Sequence, residues 1–366
     1  MHKLITTLAA ILIAASAFAA SRTYDLRSPD GKLSVSVEAG EGITYSLTHD
    51  GDLLLDKTVI SMATAGGEVF GGIQPVRKVT RRSVSQTIPT VLYKKAEVKD
   101  ELNEMTLKFK RFSLVFRAYD DGMAYRFVSH LKGQYQIEQE FVNFNFAEDW
   151  NMWAGYVAHN TYSLEGQYFT SNEAQYTYTP LSQWDVKHFG VLPLMVDCPE
   201  GIKLVIAESD LVSYPGMFLY NGDSDRCLEG KYAPYPKVEE LGGHNMLQMI
   251  VKEREDYLVK TDGGRTFPWR TFVLTDAADV SALCEADIVN ALARPAAKDH
   301  DFSWVKPGKV AWDWWNGWDC QGQKGCNTKT YERFIDFAAK TGVEYVILDE
   351  GWSEHLNIWK YHPAVD

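Results

Sequence analysis

The sequence predicts a multidomain chain in which a large antiparallel β-sandwich is followed by the opening of an α/β domain. Three observations predict it. From Tyr24 to about Thr275, short segments alternate apolar and polar residues between turn residues. Near residue 300 a polar stretch with two prolines interrupts that pattern. Beyond it, the apolar spacing becomes helical and then continuous.

The chain opens MHKLITTLAAILIAASAFAA, a basic residue (Lys3), an apolar run from Leu8 to Ala15, and small residues at Ala17 and Ala19. This is the pattern of a secretory leader over residues 1–20, and it predicts export, to a periplasm. The run is shorter than the roughly 20 residues that cross a bilayer. Removing it leaves roughly 345 residues, enough for two domains of about 100–200 residues each. The net charge of −12 and the lack of a basic run argue against nucleic acid or an anionic membrane as partner. A neutral substrate such as a sugar is unaffected by that argument. The 11 Trp, 19 Tyr and 17 Phe suit stacking on the flat C–H faces of sugars, but also an aromatic-rich sandwich core.

The sandwich is expected over residues 21–279. KLSVSVEAG, GITYSLTH, MTLKFKRFSLVFRAYDDG, MAYRFVS, YQIEQEFVNFNF and KLVIAES show period two or short buried runs. Pro29-Asp30-Gly31, Asp50-Gly51 and Asp121-Gly122 punctuate them as turns. The segment from Tyr162 to Ser182 is polar, aromatic and weakly periodic, so it reads as a loop. VSALCEADIVNALA reads as one helix from about Val280 to Ala293, opening a linker over 280–308.

The α/β segment begins at Lys309. KVAWDWWN (309–316) is a short strand. A helix capped by Asn327 or Thr328 runs to Thr341, with Tyr331, Phe334, Ile335 and Ala338 on one face, and Gly342 stops it. VEYVILDEGWS (343–353) has the near-continuous apolar run of a parallel strand covered on both faces. A complete (β/α)8 barrel takes about 250 residues, so residues 309–366 are expected to be only the beginning of such a domain. Cys198, Cys227 and Cys284 read as buried hydrophobes. Cys320 and Cys326 could close a loop in an oxidising compartment; no His or second Cys pair accompanies them to suggest a metal site.

Both strands of this segment end in acids and tryptophans: Trp312-Asp313-Trp314-Trp315-Asn316 and Leu348-Asp349-Glu350-Gly351-Trp352. Barrel enzymes build their sites at that end. Carboxylates there can accept hydrogen bonds from sugar hydroxyls, and Trp can form a platform. The plainer reading is an Asp that caps the next helix and Trp rings that simply pack. Strand alternation keeps Asp349 and Glu350 from pointing the same way while the strand continues. Glu165 and Glu173, in the 162–182 segment, read unaided as solvated glutamates. G-x-S-x-G, H-E-x-x-H and P-loop patterns are absent.

FRAYDDGMAYRF (116–127), NEAQYTYTPLS (172–182), AESDLVSYPGM (207–217), RTFPWR (265–270), WVKPGKVAWDWWN (304–316) and YERFIDFAAKTGVEYVILDEGWS (331–353) together resemble glycoside hydrolase family 97. The resemblance covers nearly all of the mature chain, in order. It implies an N-terminal β-super-sandwich, a helical linker and the start of a catalytic (β/α)8 barrel, here truncated after about two strands. It implies hydrolysis of α-galactosides or α-glucosides in a carbohydrate-utilisation system. ILDEGWS is similar to the retaining, α-galactosidase-type branch; the inverting branch more often has Glu-Gly-Trp-Asn. In this family the catalytic carboxylates lie on later strands, so they are expected beyond Asp366 and the chain alone is expected to be inactive. Asp313, Trp314, Asp349, Glu350, Trp352 and Glu208 are then candidates for substrate contact. The resemblance also implies one calcium ion, with Glu173 as the ligand from the first domain, on the spacing E-x-x-Y-x-x-x-P-L-S, and Glu165 as its runner-up. An inverting α-glucosidase, or a sugar-binding module without catalysis if the chain is whole, are the alternatives.

Overall fold

The computed structural model describes residues 21–90, 93–157, 163–170, 173–222, 224–243, 246–275, 282–295 and 300–366. The leader expected over residues 1–20 lies outside the described residues, as do parts of the 162–182 segment and the first residues of the helix expected from Val280. The chain divides into two compact units. One comprises the residues up to Ile88, Val98–Tyr235 and Arg254–Arg294; the other comprises Pro89–Glu97, Pro236–Glu253 and Pro295–Asp366.

Eighteen strands hydrogen-bond into one network, which forms most of the first unit. Its pairings are antiparallel, as in Leu33–Ala39 against Ile43–His49 and Phe112–Tyr119 against Gly122–Ser129. The period-two segments become strands with alternating burial. In Leu33–Ala39, Leu33, Val35 and Val37 are buried while Ser34, Ser36 and Glu38 are not. Each such side chain contributes about 1.5–3 kcal/mol on leaving water. Two layers share the core: Tyr45 meets the rings of Phe116, Tyr125 and Phe272, none on a strand paired with its own. The turn read at Asp121-Gly122 sits one residue earlier, with Tyr119 paired to Gly122 across Asp120-Asp121. Gly122 itself approaches the neighbouring strand so closely that a Cβ there would lie 2.1 Å from the Phe272 carbonyl oxygen.

Two expectations for this unit change. The 162–182 segment is not a loop throughout: Glu165–Tyr168 makes a 3-10 turn and Tyr176–Pro180 is a strand paired with Asn151–Tyr156. Its alternating Tyr-Thr-Tyr-Thr has high strand propensity, and the polarity that suggested a loop reflects an exposed edge. The single helix expected over Val280–Ala293 is two short ones, Ala282–Glu285 and Ile288–Ala291. Docking decides this. Ile288 and Leu292 are buried with Trp269, Val273 and Leu102, and Ser209 Oγ donates to the Val289 carbonyl (2.6 Å).

The second unit contains the strand–helix–strand. Val310–Trp312 and Tyr345–Ile347 pair in parallel, Trp312 opposite Ile347. The helix Thr328–Thr341 joins them, with the Asn327 side chain accepting from the Thr330 N–H (3.1 Å) and Gly342 at its C-terminus. Tyr331, Phe334 and Ala338 are buried as expected, but Ile335 is 54% exposed. The second strand is not buried on both faces: Tyr345 and Ile347 are exposed. A single helix covers one face of a pair, and among the described residues it is the only helix of this unit longer than a turn.

Candidate functional site

The parallel pair brings the two acid-and-tryptophan strand ends together. Asp313 follows the first strand directly and is fully buried. Its carboxylate accepts the Asp349 main-chain N–H at 3.0 and 3.3 Å. Asp349 in turn accepts from the Trp312 indole Nε1 (2.8 Å) through Oδ2 and from the Glu350 N–H (2.7 Å) through Oδ1. Burial raises the Asp313 carboxyl above the ordinary aspartate range, the Asp349 charge adds to this, and the main-chain donors oppose it. Asp313 is therefore a clamp between the strand ends, and Asp349 is a half-buried carboxylate held in a fixed orientation. Glu350 and Trp314 are exposed, and Trp352 is half-buried. Trp314 and Trp315 lie 5.5 and 5.6 Å from Trp312, ring centre to ring centre. The cluster thus offers an aromatic surface beside an oriented carboxylate, the combination that binds a ring bearing hydroxyls.

Replacing Asp313 with alanine leaves the Asp349 N–H without its acceptor and is expected to cost the second unit about 1–3 kcal/mol. Asn at 313 keeps an acceptor and should cost less. Denaturant unfolding followed by tryptophan fluorescence measures both.

A pocket of about 550 Å³ opens beside this cluster, between Trp312, Trp315, Ile347 and the helix residues Phe334 and Phe337. Neither Asp349 nor Glu350 lines it. Cys320 does, and it is a free thiol; so is Cys326, whose Sγ lies 2.8 Å from the Tyr331 hydroxyl. The bridge suggested by their spacing is not formed. Cys320 belongs to a tight hairpin, Asp319–Cys320 against Gln323–Lys324, while Cys326 turns to the helix.

Glu208 lies elsewhere, in the first unit, and is occupied. Its carboxylate takes the Arg270 Nη1 at 2.5 Å and the Met217 N–H at 3.3 Å. Arg270 is 1% exposed and forks onto Glu140 through Nε (2.8 Å) and Nη2 (2.6 Å). Burial works against the Arg270 charge, but the acids outweigh it and hold the guanidinium above its usual range. Burial likewise raises the Glu208 carboxyl, against the pull of Arg270. Next along the strand, the Trp269 ring has the Arg126 guanidinium 4.2 Å and the Arg117 guanidinium 4.9 Å from its centre. Burial, aided by Arg117, lowers Arg126 to about 10. Asp210 receives both Arg126 (3.4 Å) and Arg294 (3.1 Å).

Three separate sequence motifs thus meet on neighbouring strands, the Glu140–Arg270–Glu208 network on one face and Trp269 with Arg117 and Arg126 on the other. FRAYDDGMAYRF supplies Arg117 and Arg126, AESDLVSYPGM supplies Glu208 and Asp210, and RTFPWR supplies Trp269 and Arg270. Sequence reasoning missed Glu140 and Arg270. Their signal was a charged residue inside a strand, Trp269–Thr275, whose every other position is buried: such a charge needs a buried partner.

Glu173 and Glu165 are both exposed. Among the described residues no group of three or more His, Cys, Asp or Glu could hold a metal ion. Calcium takes six to eight oxygens, so these residues do not by themselves fit the ion, and Glu173 supplies one carboxylate only.

Comparison with known proteins places the chain in a family. Residues 26–295 match the family model described as Glycosyl-hydrolase 97 N-terminal, and residues 311–366 match Glycoside hydrolase 97. A retaining alpha-galactosidase of Bacteroides thetaiotaomicron is 40% identical over 97% of this chain and 54% of its own length. A probable retaining alpha-galactosidase of Streptomyces bingchenggensis is 26% identical over 90% of this chain and 46% of its own. The chain therefore spans about half the length of the curated relatives it matches. Among solved structures, a family 97 enzyme from Pseudoalteromonas sp. strain K8 in complex with acarbose superposes with a TM-score of 0.72 at 22% identity, over 94% of this chain and 51% of that one. A beta-arabinopyranosidase gives 0.72 at 18% identity, over 91% and 51%. The two matched segments cover residues 26–295 and 311–366, well over half of the chain, and on that ground the chain belongs to glycoside hydrolase family 97.

Proposed function

We propose that this chain is part of an α-glycoside hydrolase, of the retaining α-galactosidase type. The observation that carries the reading is the joining of the two strand ends, Trp312 to Asp349 and Asp349 to Asp313, in a chain 40% identical to a retaining alpha-galactosidase. In this reading Asp349 and Glu350 accept hydrogen bonds from substrate hydroxyls while Trp314 and Trp352 bound the sugar ring. Asp313 acts through Asp349 as a positioning residue. Glu208 keeps its place in the Arg270 network, which fixes the strand and loop beside it, and any substrate role it has is exerted through them.

The reacting pair is assigned to barrel strands after Asp366. One carboxylate attacks the anomeric carbon as the leaving oxygen takes a proton from a carboxylic acid. Water then releases the sugar from the first carboxylate with its configuration retained, the two groups standing about 5–5.5 Å apart. Glu173 is proposed as one ligand of a calcium ion whose remaining ligands come from outside the described residues; no step depends on it. The leader pattern over residues 1–20 supports export, and a periplasmic location is part of the proposal.

The test is the anomer first released from an aryl α-galactoside by an enzyme containing this chain and a complete barrel, followed by proton NMR. α-Galactose as the first product is expected. β-Galactose would remove the retaining reading in favour of inversion, and hydrolysis of aryl α-glucosides alone would move the substrate class to glucosides. The 366-residue chain itself is expected to bind sugar without turnover.

A further inference from the structure

The outer face of the sandwich carries an aromatic surface that the hydrolytic reading does not use. On adjacent strands, Trp153 stands opposite Tyr178, and Gly155 opposite Tyr176. All three rings are exposed, at 39%, 48% and 45%. Trp153 and Tyr178 lie 4.8 Å apart, ring centre to ring centre, at 38°. Tyr176 rests directly over Gly155: a Cβ at that position would lie 3.4 Å from two of its ring atoms and 3.1 Å from Val191.

The phenol hydroxyls are pinned at the rim. Tyr178 donates to Asp197 Oδ2 (2.7 Å) and accepts from the Asn151 amide (3.2 Å), and Tyr176 donates to the Pro193 carbonyl (3.1 Å). Lys203 pairs with Asp197 at 2.8 Å. The rings are held with little freedom left to lose on binding, and their edge carries a carboxylate, an ammonium and an amide. Farther along the same sheet face, Val205 and Val273 are covered by Ile288 and Leu292. Among the described residues, Trp153 and Tyr178 stay exposed on this face.

We propose that Trp153, Tyr176 and Tyr178 form a carbohydrate-binding platform for a pyranose oligosaccharide. The chemistry selects this occupant. A pyranose presents a flat C–H face that stacks on aromatic rings, with hydroxyls around its edge for the Asp197, Lys203 and Asn151 groups. A protein anchor instead fills a desolvated pocket with one large side chain, whereas here exposed rings, two of them tilted 38° to each other, form a shallow twisted face. The chain's net charge of −12 disfavours an anionic surface. The proposal stands on its own observations and does not require that the chain hydrolyse anything.

The test is saturation-transfer NMR and calorimetric titration of the 366-residue chain with panose and with raffinose, using sorbitol, an acyclic polyol without a flat face, as control. Saturation transfer to pyranose C–H protons is expected from both sugars and not from sorbitol. Trp153→Ala and Tyr178→Ala should each weaken binding about tenfold, whereas Trp153→Phe keeps a ring and most of the affinity. Circular dichroism and a cooperative thermal transition, its midpoint lowered by only a few degrees for the loss of one cross-strand pair, verify that the variants fold. Absence of binding, binding indifferent to both alanine variants, or equal binding of sorbitol each overturns the proposal. So does a dimer that Trp153→Ala dissociates, which would make the face a protein interface. Sugar-binding that depends on Trp314 rather than Trp153 would sink the platform and leave the hydrolase reading intact.

Discussion

Arg270→Ala is expected to destabilise the first unit by about 3–5 kcal/mol. The guanidinium is 1% exposed and answers two carboxylates, Glu140 and Glu208, with side chains 3% and 14% exposed. Removing it leaves two negative charges facing each other away from water. The loss comes from those abandoned charges more than from the pair's own attraction. Arg270→Met combined with Glu140→Leu and Glu208→Leu should therefore recover much of it, since well-packed apolar replacements of a buried ion cluster are often neutral. Urea unfolding of the single and triple variants, followed by tryptophan fluorescence, measures both. A single variant within about 1 kcal/mol of wild type, the range of an exposed pair, would show that the cluster is hydrated and weak.

Trp269→Ala comes next, at about 3–5 kcal/mol for loss of a large buried aromatic side chain. The indole is 1% exposed and shares a cluster with Ile288 and Leu292. Its removal also takes the stacking surface from Arg117 and Arg126. The expected signature is local as well as global: amides of Ile288–Ala291 should exchange with solvent faster, because the short helices lose the ring they dock on. Unchanged exchange there would mean that the helices are held by other contacts. Trp269 and Arg270 are neighbours, so their effects should not simply add.

Much of the sandwich was legible because its period is local. LSVSVEA and ITYSLTH announce which side chains face inward, and the structure buries those residues. The helix from Thr328 was equally legible, since Asn327 and Gly342 mark its ends and both act as the sequence implies. What was not legible is decided at a distance. Glu140 and Arg270 are 130 residues apart, and no spacing rule joins them. The helix expected from Val280 breaks because the sheet beneath it, not its own sequence, fixes where Ile288 and Leu292 must sit. The strand Tyr176–Pro180 did carry a signal, the alternation Tyr-Thr-Tyr-Thr, which the polarity of the surrounding segment obscured. At the candidate site, the sequence brought the acids and tryptophans to two strand ends. It could not say that Asp313 would turn inward and spend its oxygens on the main chain of Asp349.

That inward turn has a consequence for how the chain folds. The Asp313 carboxylate meets an N–H 36 residues later in the sequence, after a helix that is capped at both ends by nearby residues. Such a helix forms within about a microsecond, and it draws the two strands to within reach of each other. Closing the remaining gap then costs loop entropy only once, and that cost grows slowly with loop length. The contact therefore suits an early folding nucleus: substitution at Asp313 should slow the folding of this unit as well as hasten its unfolding, in the proportion that a φ-value reports. A residue met first as a possible ligand for sugar would then be timing the assembly of the scaffold that presents the others.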